Sequence, residues 1–411
     1  DIARWGLIGD GIKMDKRRIK KRRETVGAKN SRSETGKGKR KKSGFEKVFM
    51  CLLSTLLAIL LVLGLAGTIL YKSGEIALRA SANAAGPTMV VDLEEVTRIR
   101  QDLEHNSSVA WQDDWVVYGG KVYEYREDML NFLLLGIDHG GSLSSETELS
   151  DWNAGQADTI FLVSLNQSDK EISVIGIPRN AMVNVEIFNS ESEQVDTIYN
   201  QICLQYGYAG GGELGLRKMK ESVSELMCGL PIHGACAVSF NAISVITDRL
   251  GGIEVVVPDD MTAYNAAYVQ GSTQTLTGRN VVDYLRYRQY NTLGSPTTRL
   301  GRQKDFMRVA MGRTMQEIKA NPVFVKDIYE SLKSYMNTDI SVDEAVYIAS
   351  KALDCTLAEQ SFYQLAGVDK AEYFVGENGK QDFYNDYYID EDALQKIMFE
   401  VFYQEVRVSD P

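Results

Sequence analysis

Twenty-four consecutive uncharged residues, VFMCLLSTLLAILLVLGLAGTILY from Val48 to Tyr71, constrain this chain more than any other feature. About 20 apolar residues in a helix cross the ~30 Å hydrocarbon layer of a bilayer. A cleaved leader would be shorter and would lie nearer the N-terminus. The run therefore predicts one transmembrane helix. Charge divides at the same place: residues 1–47 carry 17 Lys or Arg against six Asp or Glu, and the rest of the chain carries 28 against 50. Basic residues on the N-terminal flank place residues 1–47 in the cytoplasm and everything after Tyr71 on the outer side of the membrane. Met14, directly before the basic run, is the expected start, and residues 15–44, rich in Lys, Arg, Ser and Gly, are expected to be disordered.

Residues 72–127 read as an extracellular stalk with a helical stretch near Met89 to Glu104. From about residue 128 to 411, strand and helix signals alternate without internal repeats, which predicts a single α/β domain. FLLLGID, ending in Asp138, is the continuous apolar run of a buried strand. DTIFLVSLN and EISVIGIPR, joined by QSDK, read as a β-hairpin. GGELGLRKMKESVSELMCG has the pattern of an amphipathic helix closed by Gly229, and the helix NAISVITDRLGG lies between the strands ACAVSF and IEVVV. TGRNVVDYLRYR starts as a helix, and a longer one is expected from about Arg302 toward Met336 with a break at Pro322. A helix over Val342–Leu353, the strand-like SFYQLAG and a last helix near Asp392 to Val401 follow. Cys203, Cys228, Cys236 and Cys355 lie beyond the span without CxxC spacing. Cys228 and Cys236 are close enough in sequence to pair; otherwise the four read as small buried apolar residues. A zinc site is not expected, because His105, His139 and His233 stand in no ligand spacing with them.

Two features carry chemistry. RYRQYNTLGSPTTRLGRQK holds Arg286, Arg288, Arg299 and Arg302, with Gln303 adjacent. Arg286 and Arg288 can serve one ligand only where the helix ends, whereas Arg299, Arg302 and Gln303 share one face of a helical turn. A solvated charged surface is the plain reading. Nucleic acid is disfavoured on the acidic, external side of the chain, since its binding rests on neutralising phosphates. A small phosphate or pyrophosphate held with a metal suits guanidinium forks better. The hairpin is the second feature. Counted from a turn near Ser168, Arg179 returns to the neighbourhood of Asp158, and Asp138 ends its own strand nearby. Two carboxylates and an arginine are thus expected at one sheet edge, and Asp138 and Asp158 are candidate Mg²⁺ ligands.

FLLLGID, ADTIFLVSLNQSDKEISVIGIPRN, IYNQICLQYGYAGG, GGIEVVVP and LTGRNVVDYLRYR…TTRLGRQ together resemble, in this order, LytR–CpsA–Psr proteins over roughly residues 130–310. The resemblance implies an α/β/α domain with a central mixed sheet flanked by helices, anchored at the outer membrane face of a Gram-positive-type cell. It also implies a phosphotransferase that moves a glycopolymer from a polyprenyl-pyrophosphate carrier to peptidoglycan with Mg²⁺. By position, Asp138 and Asp158 match metal ligands, while Arg179, Arg286, Arg288, Arg299, Arg302 and Gln303 match pyrophosphate ligands. Asp158, Arg179, Arg286 and Arg288 match the catalytic set. An apolar slot for the polyprenyl tail is then expected from Leu214, Met219, Val223 and Leu226 on the first amphipathic helix, or from Phe306, Val309 and Ala310 after the arginines. The family pattern has an acid after the IPR arginine and another three residues before Arg299, where this chain has Asn180 and Pro296. It often has an arginine where Gly140 stands. Asn180 and the NTLGS loop resemble a clostridial-type variant. A non-catalytic binder of pyrophosphate-linked lipid and a polyprenyl-pyrophosphate phosphatase are the alternatives; a transcriptional attenuator is opposed by the topology.

Overall fold

An apolar run as continuous as MLNFLLLGI needs cover on both of its faces, and the structure, a computed structural model, supplies it. It describes residues 67–78, 86–106, 109–139, 143, 154–287, 293–375 and 381–407. All of them belong to one compact unit, Leu61–Pro411.

Residues 67–78 are helical (α1), and α2 spans Leu93–Asn106. β1 (Val116–Tyr118) and β2 (Lys121–Tyr125) precede the central strands β3 (Met129–Ile137), β4 (Ala157–Asn166) and β5 (Glu171–Ile177). A hairpin of β6 (Met182–Phe188) and β7 (Gln194–Gln201) leads to α3 (Leu204–Tyr208), α4 (Gly212–Leu226), β8 (Gly234–Ser239) and α5 (Phe240–Arg249). β9 (Ile253–Val256), β10 (Thr273–Leu276), α6 (Gly278–Arg286), α7 (Ser295–Ala320), α8 (Phe324–Leu332), β11 (Met336–Thr338) and α9 (Val342–Leu353) follow. The chain continues through β12 (Phe362–Gln364), the long hairpin β13 (Gly367–Val375) and β14 (Gln381–Ile389), α10 (Glu391–Phe402) and β15 (Tyr403–Glu405).

The central sheet has the order β11-β8-β3-β4-β5-β12 and is mixed: β3 runs parallel to β8 and antiparallel to β4. Side chains alternate across it. Leu133, Leu135 and Ile137 pack with Met219 and Val223 of α4 and with Met398 and Phe402 of α10. Phe132 packs on the other face with Phe161, Val163, Leu300 of α7 and Tyr347 of α9. Helices therefore cover both faces, as the α/β/α expectation required.

Three boundaries differ from the sequence reading. The long helix α7 begins at Ser295 rather than near Arg302, because Pro296 sits in its first turn, where the missing N–H costs nothing; it ends before Pro322 as expected. The segment 72–127 is not set apart as a stalk. β2 pairs on one side with β1 and on the other with β15 from the far end of the chain, and Trp115, Val117 and Val122 cluster with Val96 and Ile99 of α2. The hairpin β13–β14 was not foreseen, since charged residues interrupt its apolar alternation. The transmembrane run lies for the most part at 48–66, outside the described residues, as does the basic tail. Among the described residues no helix is long and apolar enough to cross a membrane. Cys203, Cys228, Cys236 and Cys355 are all free thiols.

One core contact is pH-sensitive. The amide N–H of Asn131 on β3 donates to His233 Nδ1 at 3.0 Å, and burial holds the imidazole below its ordinary value of 6.5. The fold thus favours the neutral ring. Its contribution is present above the unfolded value and is lost as pH falls through the lower folded one. Thermal melts of the chain between pH 7.5 and 5 are expected to show a falling Tm, and His233→Gln, which keeps an acceptor without a titrating ring, should flatten that slope.

Candidate functional site

The site begins with a fault in a strand pair. β3 and β4 keep antiparallel register to Gly136 opposite Thr159, then shift so that Ile137 faces Ala157. The backbone N–H groups of Asp138 and Asp158 both donate to the Gln156 carbonyl at 2.9 Å. The bulge thereby presents two carboxylates at one end of the sheet. β5 returns in register with Ile177 opposite Ile160, and the chain just past it carries Arg179, whose Nε lies 2.9 Å from Asp158 Oδ1. The hairpin count had placed these two residues together.

α7 supplies the second cation. Arg299, 4 % exposed, donates from Nη1 to Asp158 Oδ2 at 3.1 Å and from Nη2 to the Asp158 carbonyl at 3.4 Å. One carboxylate thus bridges two guanidiniums drawn from different elements. Arg179 also donates from Nη2 to Cys203 Sγ at 2.9 Å and contacts Gln156 Oε1. Burial works against the Arg179 charge, but Cys203 and Asp158 beside it outweigh burial and leave its pKa above the ordinary value. Burial pushes the Cys203 thiol up. Neither Cys203 nor Gln156 had a sequence signal; only the tertiary pairing reveals them.

Arg286 ends α6. Its guanidinium lies 4.3 Å from the centroid of the Phe240 ring and donates to Asp138 Oδ1 at 3.1 Å. Arg288 lies outside the described residues. Arg302 and Gln303, also expected on the phosphate, are as buried as Arg299 and bond to the end of α6. Arg302 donates to the Tyr287 carbonyl, sits 5.6 Å from the ring centroids of Tyr284 and Tyr287, and lies 3.6 Å from Asp259. Gln303 Nε2 donates to the Leu285 carbonyl at 3.4 Å. That side of α7 packs on the end of α6, where the two residues bond to the carbonyls on either side of Arg286.

Behind the arginines, an apolar cleft of about 410 Å³ runs between the sheet and α7. Leu134, Phe161, Ile243, Met307, Met311 and Met315 line it, and Asp158, Arg286, Arg299 and Gln303 border it. Of the apolar candidates, Phe306 and Ala310 line this cleft, whereas Val309 packs against the cluster around Ile253 and Tyr284. The four on α4 do not line it. Met219, Val223 and Leu226 belong to the core on the other face of the sheet, and Leu214 is half-buried on that helix. The amphipathic period could not say which face of the sheet α4 would cover.

Asn180 explains its own departure from the family pattern. Its side chain is 1 % exposed, and Nδ2 donates to the Asn385 carbonyl at 2.7 Å and to Asp369 Oδ1 at 3.4 Å. Asp369 on β13 accepts from Thr297 Oγ1 at 3.4 Å in the first turn of α7. The Asn385 amide, oriented as its neighbours require, donates to Asp369 Oδ1 at 2.9 Å and accepts from the Gly294 N–H at 3.0 Å. Burial raises the Asp369 carboxyl above its ordinary value, with Asn180 and Thr297 opposing. A carboxylate at position 180 would face another carboxylate and a carbonyl. Where 180 and 296 lack an acid, the hairpin places one beside Asn180 and Thr297.

Among the described residues no group of three or more His, Cys, Asp or Glu side chains converges as a metal site. Asp138 and Asp158 offer two carboxylates, which suits a cation that completes its shell with substrate phosphate and water.

A covered mixed sheet thus gathers two carboxylates and three arginines at its bulged end, beside an apolar cleft. The chain belongs to the LytR_cpsA_psr family, which it matches over residues 94–398. It is 25 % identical over 226 residues to a polyisoprenyl-teichoic acid–peptidoglycan teichoic acid transferase, TagU, of Oceanobacillus iheyensis, covering 54 % of this chain and 62 % of that one. To the transferase of the same description TagT of Bacillus subtilis it is 22 % identical, covering 55 % and 65 %. The match thus spans somewhat less than two thirds of those relatives. Among solved structures, TagT bound to LI-WTA superposes with TM-score 0.48 at 19 % identity, covering 66 % of this chain and 89 % of that one. Protein gbs0355 of Streptococcus agalactiae gives 0.49 at 20 %, covering 69 % and 91 %.

Two stability comparisons test this geometry. Asp158→Ala strands two buried guanidiniums and should cost about 3 kcal/mol in denaturant unfolding, whereas Asp138→Ala, from a half-exposed pair, should cost within about 1 kcal/mol. Asn180→Asp should cost about 2 kcal/mol by facing Asp369 with a second carboxylate, and Asp369→Asn added to it should restore much of that loss.

Proposed function

We propose that the chain is a membrane-anchored transferase that moves a glycopolymer from a polyprenyl-pyrophosphate carrier to peptidoglycan. The observation that carries this reading is the apolar cleft bordered by Asp158, Arg286 and Arg299. A polyprenyl tail lies in the cleft, and its pyrophosphate reaches the guanidiniums at the strand ends. Family membership and the transferase names of the relatives support it.

Arg179, Arg286 and Arg299 are paired with carboxylates in this structure. Pyrophosphate oxygens take over those guanidinium N–H groups, and the charge that develops on the leaving phosphate meets donors already aimed at it. An acceptor sugar hydroxyl attacks the phosphorus that bears the glycopolymer. The new O–P bond forms as the bond to the polyprenyl phosphate breaks, and the hydroxyl proton passes to Asp138 or Asp158. Mg²⁺, when bound by those two carboxylates and the phosphates, supplies further charge neutralisation. Arg302 and Gln303 hold Arg286 in line. Residues 1–47 lie in the cytoplasm, 48–71 span the membrane, and the α/β domain works outside. Asn180 is occupied by the hairpin, so its lack of basicity does not argue for a mere binder.

The test combines the full chain in proteoliposomes, a polyprenyl-pyrophosphate-linked glycan, peptidoglycan and Mg²⁺. Polymer transfer is expected, abolished in Arg179→Ala and Asp158→Ala and dependent on the metal. Met311→Glu, which puts a carboxylate on the half-buried cleft wall, should weaken donor binding roughly 30- to 100-fold. Tight donor binding without transfer would overturn the enzyme reading, and release of phosphate without transfer would make it a phosphatase. External protease should remove the α/β domain and spare the N-terminal tail.

A further inference from the structure

Beside Arg179, and sharing no lining residue with the apolar cleft, lies a second cleft of about 710 Å³, within the usual size of a ligand site. Arg179, Asn180 and Gln156 border it, as do residues of the hairpins β6–β7 and β13–β14. Its character is opposite to that of the lipid slot. Tyr199 of β7 and Tyr384 of β14 line it and are 59 % and 56 % exposed, and Phe374 stacks on Tyr384 with centroids 4.5 Å apart. Glu372, Asp382 and Asn200 add carboxylate and amide groups. Among the described residues that line the cleft, Arg179 is the one cation.

This composition selects a ligand class. An anionic polymer or a second phosphate would be repelled by the carboxylates, and a purely apolar chain would strand them without partners. A sugar ring has C–H faces, which pack on the electron-rich faces of exposed tyrosines. It also has hydroxyls all round, which amides and carboxylates can bind as donors and acceptors. The cleft is a built feature rather than an accidental gap. The hairpin that forms its wall is tied to the catalytic frame by the Asn180, Asp369 and Asn385 contacts, and the parallel bridge between Ala181 and Tyr387 extends the tie.

We propose that this cleft seats the acceptor saccharide chain, delivering one of its hydroxyls to the phosphate held by Arg179. This inference rests on the transferase reading and extends it to the acceptor. The apolar cleft and the polar cleft then flank one cluster of charges, with the donor entering from one side and the acceptor from the other.

The experiment measures glycan and donor binding separately on the full chain in detergent. The probes are soluble, uncrosslinked peptidoglycan glycan strands, chitohexaose and geranylgeranyl pyrophosphate. Tyr199→Ala combined with Tyr384→Ala is expected to weaken glycan-strand binding roughly tenfold or more, with pyrophosphate binding unchanged within about twofold. Glu372→Lys with Asp382→Lys, both at exposed positions, provides a second variant that leaves the aromatic faces in place, and it should also weaken strand binding. Glycan binding that is undiminished in both variants overturns the proposal, as does a glycan that competes with geranylgeranyl pyrophosphate for one site. Because glycan binding is read without turnover, absence of transfer in the wild type counts against the transferase reading, while loss of strand binding in the variants still supports the cleft.

Discussion

The carboxylate of Asp158 is the hinge of the architecture. It joins Arg179, just beyond the end of β5, to Arg299, one turn inside α7, and it is itself placed by the bulge between β3 and β4. Two guanidiniums this deeply buried would repel one another and lose their hydration without it. With it, the end of the β4–β5 hairpin is joined to the distant helix α7 by one shared carboxylate. On the proposed reading, the N–H groups now spent on Asp158 are the donors that a phosphate would take over.

Around this hinge the molecule separates two solvents. One side of the site is an apolar slot formed where α7 lies over the sheet, and the other is a polar cleft between two hairpins. The separation follows from strand geometry. Alternate residues of β3 face opposite layers, so the layer under α7 and the layer under α4 and α10 never mix. The charged cluster sits at the end of the sheet, with Asp158 and Arg299 bordering the apolar cleft and Arg179 bordering the polar one.

Asn180 and Pro296, isolated oddities when compared with the family pattern, become one unit in three dimensions. Asp369 lies against Asn180 and against Thr297, the neighbour of Pro296. An acid supplied from β13 requires an amide donor at position 180, and a carboxylate near the start of α7 suits the positive end of that helix. The exchange of acid and amide is coupled through one set of hydrogen bonds, which is why neither position can be interpreted alone.

Much of the frame was legible in the residues. The continuous apolar run of β3, the β4–β5 hairpin and the helical spacing of Arg299 from Arg302 depend on short-range periodicity, and counting along the hairpin was enough to bring Arg179 to Asp158. The fate of Arg302 and Gln303 was not legible, because a helical face of correct spacing can point at a ligand or at a neighbouring helix. Nor was the choice of Phe306 and Ala310 over the α4 residues for the apolar cleft, since amphipathicity marks a buried face without naming what buries it. The sequence by itself determined the central strands, most of the helices, the charge asymmetry and the run of arginines and carboxylates, all properties of local pattern. Only the tertiary structure decided which arginines share a carboxylate, which face of the sheet opens into a cleft, and that a hairpin some 190 residues after Asn180 closes over it. Those outcomes rest on long-range packing and on the pairing of buried charges, which no local pattern encodes.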